Sequence, residues 1–346
     1  MKRVPLFLMM ENTIKTGILS FGMSGKLFHS PFLNEHQGFE LSAVVERTEK
    51  KAHLVYPEIK SYRSIDELLA EPHIELVVVN TPNATHFEFA LNAIKAKKHV
   101  LIEKPFTVTS SQARQLFQEA QKYNCCVLPY QNRRYESDFL SVKSVLDSGK
   151  LGELIEVHLR YDRYRYALRP EIAKETPVPG SGLLYNLGPH LIDAAISLFG
   201  TPLQWKKSWG FFRPKTKVDD YAHIHLSYPK GMQVFITASL LVADPPPAFV
   251  LHGTKGSYIK HRTDVQEKQL LEGMRPENPS YGMEASDQCG TLTTISTDGE
   301  KTQEKITSVK SSYMHVFDDV YNMIRRGQAY PVSEKQIIQQ LEILEG

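Results

Sequence analysis

Five short apolar runs, each followed by a stretch with helical spacing, occupy the first 130 residues of this chain. They cover residues 16–21, 41–45, 76–79, 100–102 and 127–128. Uninterrupted apolar runs of this length suit strands buried on both faces, as in a parallel sheet with helices on either side. Helix starts lie between them. Ser64-Ile65-Asp66-Glu67 has the pattern of a capping box ahead of Leu68-Leu69, and Thr109 with Gln112 opens a helix up to about Tyr123. Thr85 can cap a third helix, whose Phe87, Ala90, Leu91 and Ile94 fall on one face. This alternation sets a βαβ fold, whose ligands bind beyond the carboxyl ends of the strands.

Past about residue 150 the period changes to two. Ile155, Val157, Leu159 and Tyr161 alternate with Glu156, His158, Arg160 and Asp162 across residues 154–166. Residues 221–228 and 232–240 read as a hairpin across Pro229-Lys230-Gly231, with further strands expected at 248–252, 257–260 and 291–296. Alternation of this kind marks an antiparallel sheet with one covered face. One helix is expected over 189–199, and two amphipathic helices, 312–326 and 334–344, end the chain. At 346 residues the chain is too long for one ordinary core. The expected fold class is α/β: a doubly wound parallel Rossmann sheet over residues 11–132, then an α/β domain with an open, mostly antiparallel sheet over 133–346.

Charge narrows the function. The 41 basic and 39 acidic residues nearly cancel, so no basic field exists to hold nucleic acid or an anionic membrane. Three cysteines, two of them adjacent, make a disulfide framework improbable and fit a reducing cytoplasm. The opening MKRVPLFLMM has too short an apolar stretch for a secretory signal and lacks a small-residue cleavage site; Met10 is an alternative start.

SFGMSG, residues 20–25, follows the first run and precedes helical spacing over 26–36. Gly22 and Gly25 take the second and third places of G-x-G-x-x-G, and Ser20 the first, as a turn around a dinucleotide pyrophosphate requires. Glu46 ends the second run 21 residues after Gly25, where an acid can hold the adenosine ribose, while the adjacent Arg47 suits a 2′-phosphate. Asn80, Thr81 and Pro82 form a strand-end loop beside the expected cofactor. In IEKP, Lys104 leaves a buried strand before a proline, so its amine projects from the sheet edge, where it can bind or protonate a substrate oxygen. In GSGLLYNLGPHLID, His190 can move a proton, and Asp193, three residues on, can orient it or cap local backbone. Tyr161, Arg163 and Arg165 offer donors to a polyol. His223 and His225 share a strand face but lack a third ligand, so no metal is expected. The absence of G-x-S-x-G argues against a serine hydrolase.

With SFGMSG, NTPNATH, IEKP and GPHLID in this order, the chain resembles the Gfo/Idh/MocA oxidoreductase family over roughly residues 14–345; FGMSGKLFHSP, PYQNRRYESDF (129–139) and HGTKGSYIKHRTDVQE (252–267) look most like its branch of NADP-dependent inositol dehydrogenases. The resemblance implies NADP or NAD as cofactor and a sugar or cyclic polyol as substrate, with a secondary alcohol and a ketone interconverted. It adds Met23, Ser24, Asn83, His86, Glu103 and Asn132 to the cofactor side and Arg133 to the substrate side. It also implies that Lys104 touches the reacting oxygen, that His190 is the acid/base, and that the C-terminal sheet joins copies into a homodimer or larger homo-oligomer. Many members carry aspartate where this chain has Asn186, which cannot titrate and is left to orient substrate. A nucleotide-bound sensor of the same fold, without catalysis, is the alternative.

Overall fold

The computed structural model describes residues 13–168 and 175–346; the opening decapeptide, and the choice of start within it, lies outside them. The fold is α/β with two sheets. The first is built from β1 (Ile14–Ile18), β2 (Phe39–Val45), β3 (Lys60–Tyr62), β4 (Leu76–Val79), β5 (His99–Ile102) and β6 (Val127–Pro129). Its order is β3-β2-β1-β4-β5-β6, parallel throughout, so the direction of winding reverses between β1 and β4. The chain separates into two compact units. One holds the chain up to Asn132 with Glu267–Tyr281 and Ser312–Ile337, and the other holds Arg133–Gln266, Gly282–Ser311 and Ile338–Gly346.

In the first unit, Ile14, Ile18, all four residues of β4, and Leu101 and Ile102 are sealed from solvent. Burying each such side chain stabilises by about 1.5–3 kcal/mol. The helix Met314–Arg326, far away in sequence, completes this core: Phe317 stacks on Phe32 at 5.4 Å and meets Phe39 and Tyr130 edge-on or tilted. Thr109 and Gln112 form the full reciprocal capping box. At Ser64 only half of it forms, because Glu67 turns to the amide of Arg63. Thr85 does not cap; its hydroxyl donates to the Pro82 carbonyl and meets Thr81.

The second unit holds β7 (Leu154–Asp162), β8 (Gln204–Gly210), β9 (Tyr221–Ser227), β10 (Gln233–Ser239), β11 (Phe249–Gly253), β12 (Gly256–Lys260), β13 (Gly290–Ile295) and β14 (Lys301–Ile306). Their order is β14-β13-β12-β11-β7-β10-β9-β8. Only β7 and β10 run parallel. Val157, Leu159 and Tyr161 of β7 are buried on the face against which the helix Gly182–Phe199 packs. That helix starts seven residues before the expected Pro189, which lies inside it. The amide of Leu183 donates to the Asp219 carbonyl and that of Leu184 to the Asp219 carboxylate, so the helix N-terminus is satisfied from another segment. Gly182 is obligatory here: its φ is +86° and a Cβ would stand 1.8 Å from the Asp219 carboxylate.

Candidate functional site

In the first unit, the sequence motifs gather at the carboxyl ends of four parallel strands. SFGMSG follows β1, Glu46-Arg47 follows β2, Asn80–Asn83 follows β4, and Glu103-Lys104 follows β5. The Ser20 hydroxyl accepts the Gly22 amide at 3.3 Å, so serine closes the turn from the first glycine place. A Cβ on Gly25 would stand 2.2 Å from the Ser20 carbonyl, so only glycine allows the chain to fold back this tightly. After the turn the backbone makes one π-helical turn, Gly25–His29, before the helix Ser30–Glu35. The Asn80 amide donates to the Ser20 carbonyl at 2.8 Å, and its own side-chain oxygen is buried with no partner among the described residues. A glycine-only turn at a helix start, with a buried acceptor aimed beside it, fits a dinucleotide. Met23 is exposed and Ser24 partly so.

Glu103 ties this turn to the end of β5. One carboxylate oxygen accepts from the Ser24 hydroxyl at 2.7 Å and from His29 Nε2 at 2.9 Å; the other accepts the Lys104 amide at 3.1 Å. Burial alone would push this carboxyl up, but the hydrogen bond and charge of His29, then Lys104 and Ser24, hold it down at about 2. An ionised, buried carboxylate therefore fixes the backbone from which the half-buried Lys104 side chain leaves the strand. His86 is a staple: its ring nitrogens lie 2.8 Å from the carbonyls of Pro105 and Thr81, joining two strand-end loops, and burial lowers its pKa. Asn132 is buried in the helical turn Asn132–Tyr135 beyond β6.

Glu46 departs from the spacing argument. It is buried, accepting the Lys51 and Ala52 amides at 2.7 and 3.1 Å and the Ser61 hydroxyl at 2.7 Å. The carboxylate is thus occupied in shaping the turn after β2. Arg47 stays exposed, its loop held by Arg63, which donates to the carbonyls of Arg47 and Thr48.

In the second unit, His190 is buried and lines a small cavity with Arg133, Glu136, Phe249 and Arg262. Asn186 stands one turn earlier on the same helical face, exposed. Pro189 lacks an N–H for the helix, and Gln340 donates to its carbonyl at 2.9 Å. Asp193 neither orients the imidazole nor caps; both of its oxygens accept from Arg134, at 2.8 Å each, anchoring the histidine's helix to the turn after β6. Consecutive arginines thus diverge: Arg133 pairs with Glu136 and lies over the Tyr161 ring at 5.1 Å. Arg262 completes the group, 3.3 Å from Glu136 and 4.2 Å from the centre of that ring. Burial, reinforced by Asp138 and Asp264, drives the Glu136 carboxyl up to about 8 against the pull of Arg133 and Arg262. Arg163 donates to the Tyr161 hydroxyl at 2.7 Å.

Arg134, Glu136, Phe249 and Arg262 were not singled out from sequence. Arg262 lies at a strand exit 126 residues from its partner Glu136, with no local pattern to mark it. His223 and His225 stack with His158 on Phe235, and among the described residues no group of three or more histidine, cysteine or carboxylate side chains could hold a metal. Among the described residues no helix is long and apolar enough to cross a membrane.

Comparison with known proteins agrees with the fold. The model of an oxidoreductase family with an NAD-binding Rossmann fold matches residues 14–131, and the C-terminal domain model of the same family matches 139–259. The chain is 34% identical to the scyllo-inositol 2-dehydrogenase (NADP(+)) IolW of Bacillus subtilis, over 96% of this chain and 92% of that protein. It is 35% identical to the uncharacterized oxidoreductase YdgJ of Escherichia coli, over 97% and 96%. Its fold superposes with a TM-score of 0.87 on a putative oxidoreductase from Bacteroides fragilis, at 39% identity and 96% coverage of both chains.

Proposed function

The chain belongs to the Gfo/Idh/MocA oxidoreductase family, and from that premise we propose that it interconverts a secondary alcohol and a ketone on a sugar or cyclic polyol, with NADP as its preferred nucleotide. When bound, the nucleotide supplies hydride transfer. The protein supplies placement and proton transfer. The amine of Lys104 polarises the reacting oxygen, His190 takes or returns its proton, and Asn186, Tyr161 and Arg133 hold neighbouring groups. The observation that carries this reading is the Ser24–Glu103–His29 tie, which fixes the glycine turn and the root of Lys104 to one carboxylate. The exposed Arg47, beside a Glu46 already occupied, supports the 2′-phosphorylated nucleotide. The half-buried face of the second sheet around Phe235 is proposed to pair with a second copy of the chain.

General acid–base assistance is worth about 10²–10⁴-fold. Lys104→Ala is expected to lower kcat by that range, read from nicotinamide absorbance across inositols and sugars, with the dissociation constant for NADP nearly unchanged. Full turnover in that variant would overturn the role of the lysine, and no turnover of any alcohol by the native chain would favour the non-catalytic sensor.

A further inference from the structure

Several arginines gather around Tyr161, and among the described residues the carboxylates there are taken up by only some of them, Asp138 lying 3.8 Å from Arg262. Asp193 is fully engaged by Arg134. Glu136 is shared by Arg133 and Arg262, and burial pushes its carboxyl toward the neutral form. Asp162, whose carboxylate accepts from Arg160 at 2.7 Å, stands on the opposite face. Beyond β7 the chain stays extended: the Arg163 amide donates to the Ser239 carbonyl, that of Arg165 to the Leu240 carbonyl, and Tyr164 bridges Leu241. Arg163 lies against Tyr161, and Arg165 follows two residues further along the same edge, its backbone held by Leu240.

Arg163 is half-buried, stacks on Tyr161 at 4.8 Å and donates to its hydroxyl; among the described residues no carboxylate pairs with it. Arg165 is half-buried too, and among the described residues its side chain makes no hydrogen bond or ion pair. Guanidinium groups donate only. A neutral polyol presents hydroxyls that seek acceptors as well as donors, whereas two uncompensated planar cations two residues apart match the paired oxygens of an oxyanion.

We propose that the substrate carries a carboxylate, as a polyhydroxy acid does, and that Arg163 and Arg165 bind it while the chemistry proceeds at a neighbouring secondary alcohol. This rests on the reading above that this face meets the substrate. In the oxidative direction the carbinol C–H bond breaks with its electron pair passing as hydride to the oxidised nucleotide, the hydroxyl proton passes to His190, and a C=O bond forms. The carboxylate keeps its charge throughout.

The test uses the full chain with oxidised NADP and NAD and five probes: gluconate, glucuronate, glucose, scyllo-inositol and glucose 6-phosphate. Calorimetry of gluconate binding runs alongside. The acids are expected to exceed the uncharged probes in kcat/KM by tenfold or more. In Arg163→Gln and Arg165→Gln that ratio is expected to fall by about tenfold to a hundredfold, the usual weight of a charge-assisted contact. Gluconate binding should weaken in parallel and should weaken with salt in the native chain. An uncharged probe preferred, or a ratio unmoved by both variants, would overturn the proposal while leaving the oxidoreductase reading intact. Preference for the phosphate ester would assign the arginine pair to a phosphoryl group and overturn the carboxylate. If no probe is turned over but gluconate binds and loses affinity in both variants, the anion site stands and the reaction assigned above fails.

Discussion

Glu46 and Arg47 are neighbours with opposite fates. The spacing of an acid about twenty residues beyond the glycine turn points to a ribose contact. Yet the Glu46 carboxylate is surrounded by three donors of its own polypeptide, because the turn 51–54 after β2 leaves amides that need an acceptor. Sequence spacing cannot tell a carboxylate that meets a ligand from one that closes a turn. Arg47 has no such local use, and its side chain stays in solvent. Arg47→Ala is therefore expected to raise the dissociation constant for NADP about tenfold, the equivalent of about 1.4 kcal/mol, and to change that for NAD less than twofold, as read by calorimetric titration. Equal losses for both nucleotides would remove the 2′-phosphate from its role.

The strand-end loops of the first sheet are fastened to one another by single side chains. Glu103 is the strongest of these ties, and its linkage to pH has a definite sign. Its folded-state pKa, about 2, lies below the ordinary glutamate value of 4.5, so the ionised form stabilises the fold. That contribution is complete above about pH 4.5 and is lost as pH falls toward 2; the difference corresponds to about 3 kcal/mol. Glu103→Gln is expected to unfold more easily than the native chain in urea at pH 6, with the gap closing as pH approaches 2. Its kcat should fall as well, since the Lys104 backbone loses an anchor. A gap that persists unchanged at low pH would mean that packing, not charge, explains the loss.

How much of this was legible follows element by element. The five buried strands of the first sheet showed as apolar runs because both faces are covered. β3, β8 and β14 went unread, since Lys60–Tyr62, Gln204–Gly210 and Lys301–Ile306 are edge strands whose mixed or polar sequences lack that signature. Gly188-Pro189 reads as a helix start, but the helix begins seven residues earlier, where Asp219 supplies the cap from a distant loop. The motif residues of the glycine turn and EKP segment were legible because each carries its own local pattern. The full arginine–carboxylate group around Tyr161 was not, because Arg262 comes from beyond β12, 126 residues from Glu136, and no local pattern marks it.

Across the second sheet, Phe235 carries three imidazoles, His225 at 4.7 Å, His158 at 5.2 Å and His223 at 6.2 Å, all half-buried. If this face pairs with a second copy, Phe235→Asp places a charge at its centre and should reduce the mass measured by light scattering to that of one chain. Native chain already monomeric at micromolar concentration, or a variant of unchanged mass, would rule the face out.

The first unit's dependence on Met314–Arg326 has a consequence during synthesis. Phe32 and Phe39 leave the ribosome about 280 residues, and Tyr130 nearly two hundred, before Phe317 can cover them. Until then, the nascent nucleotide-binding half must carry a sticky aromatic flank, a natural target for chaperones, and no single proteolytic cut or premature stop could release it as a finished module.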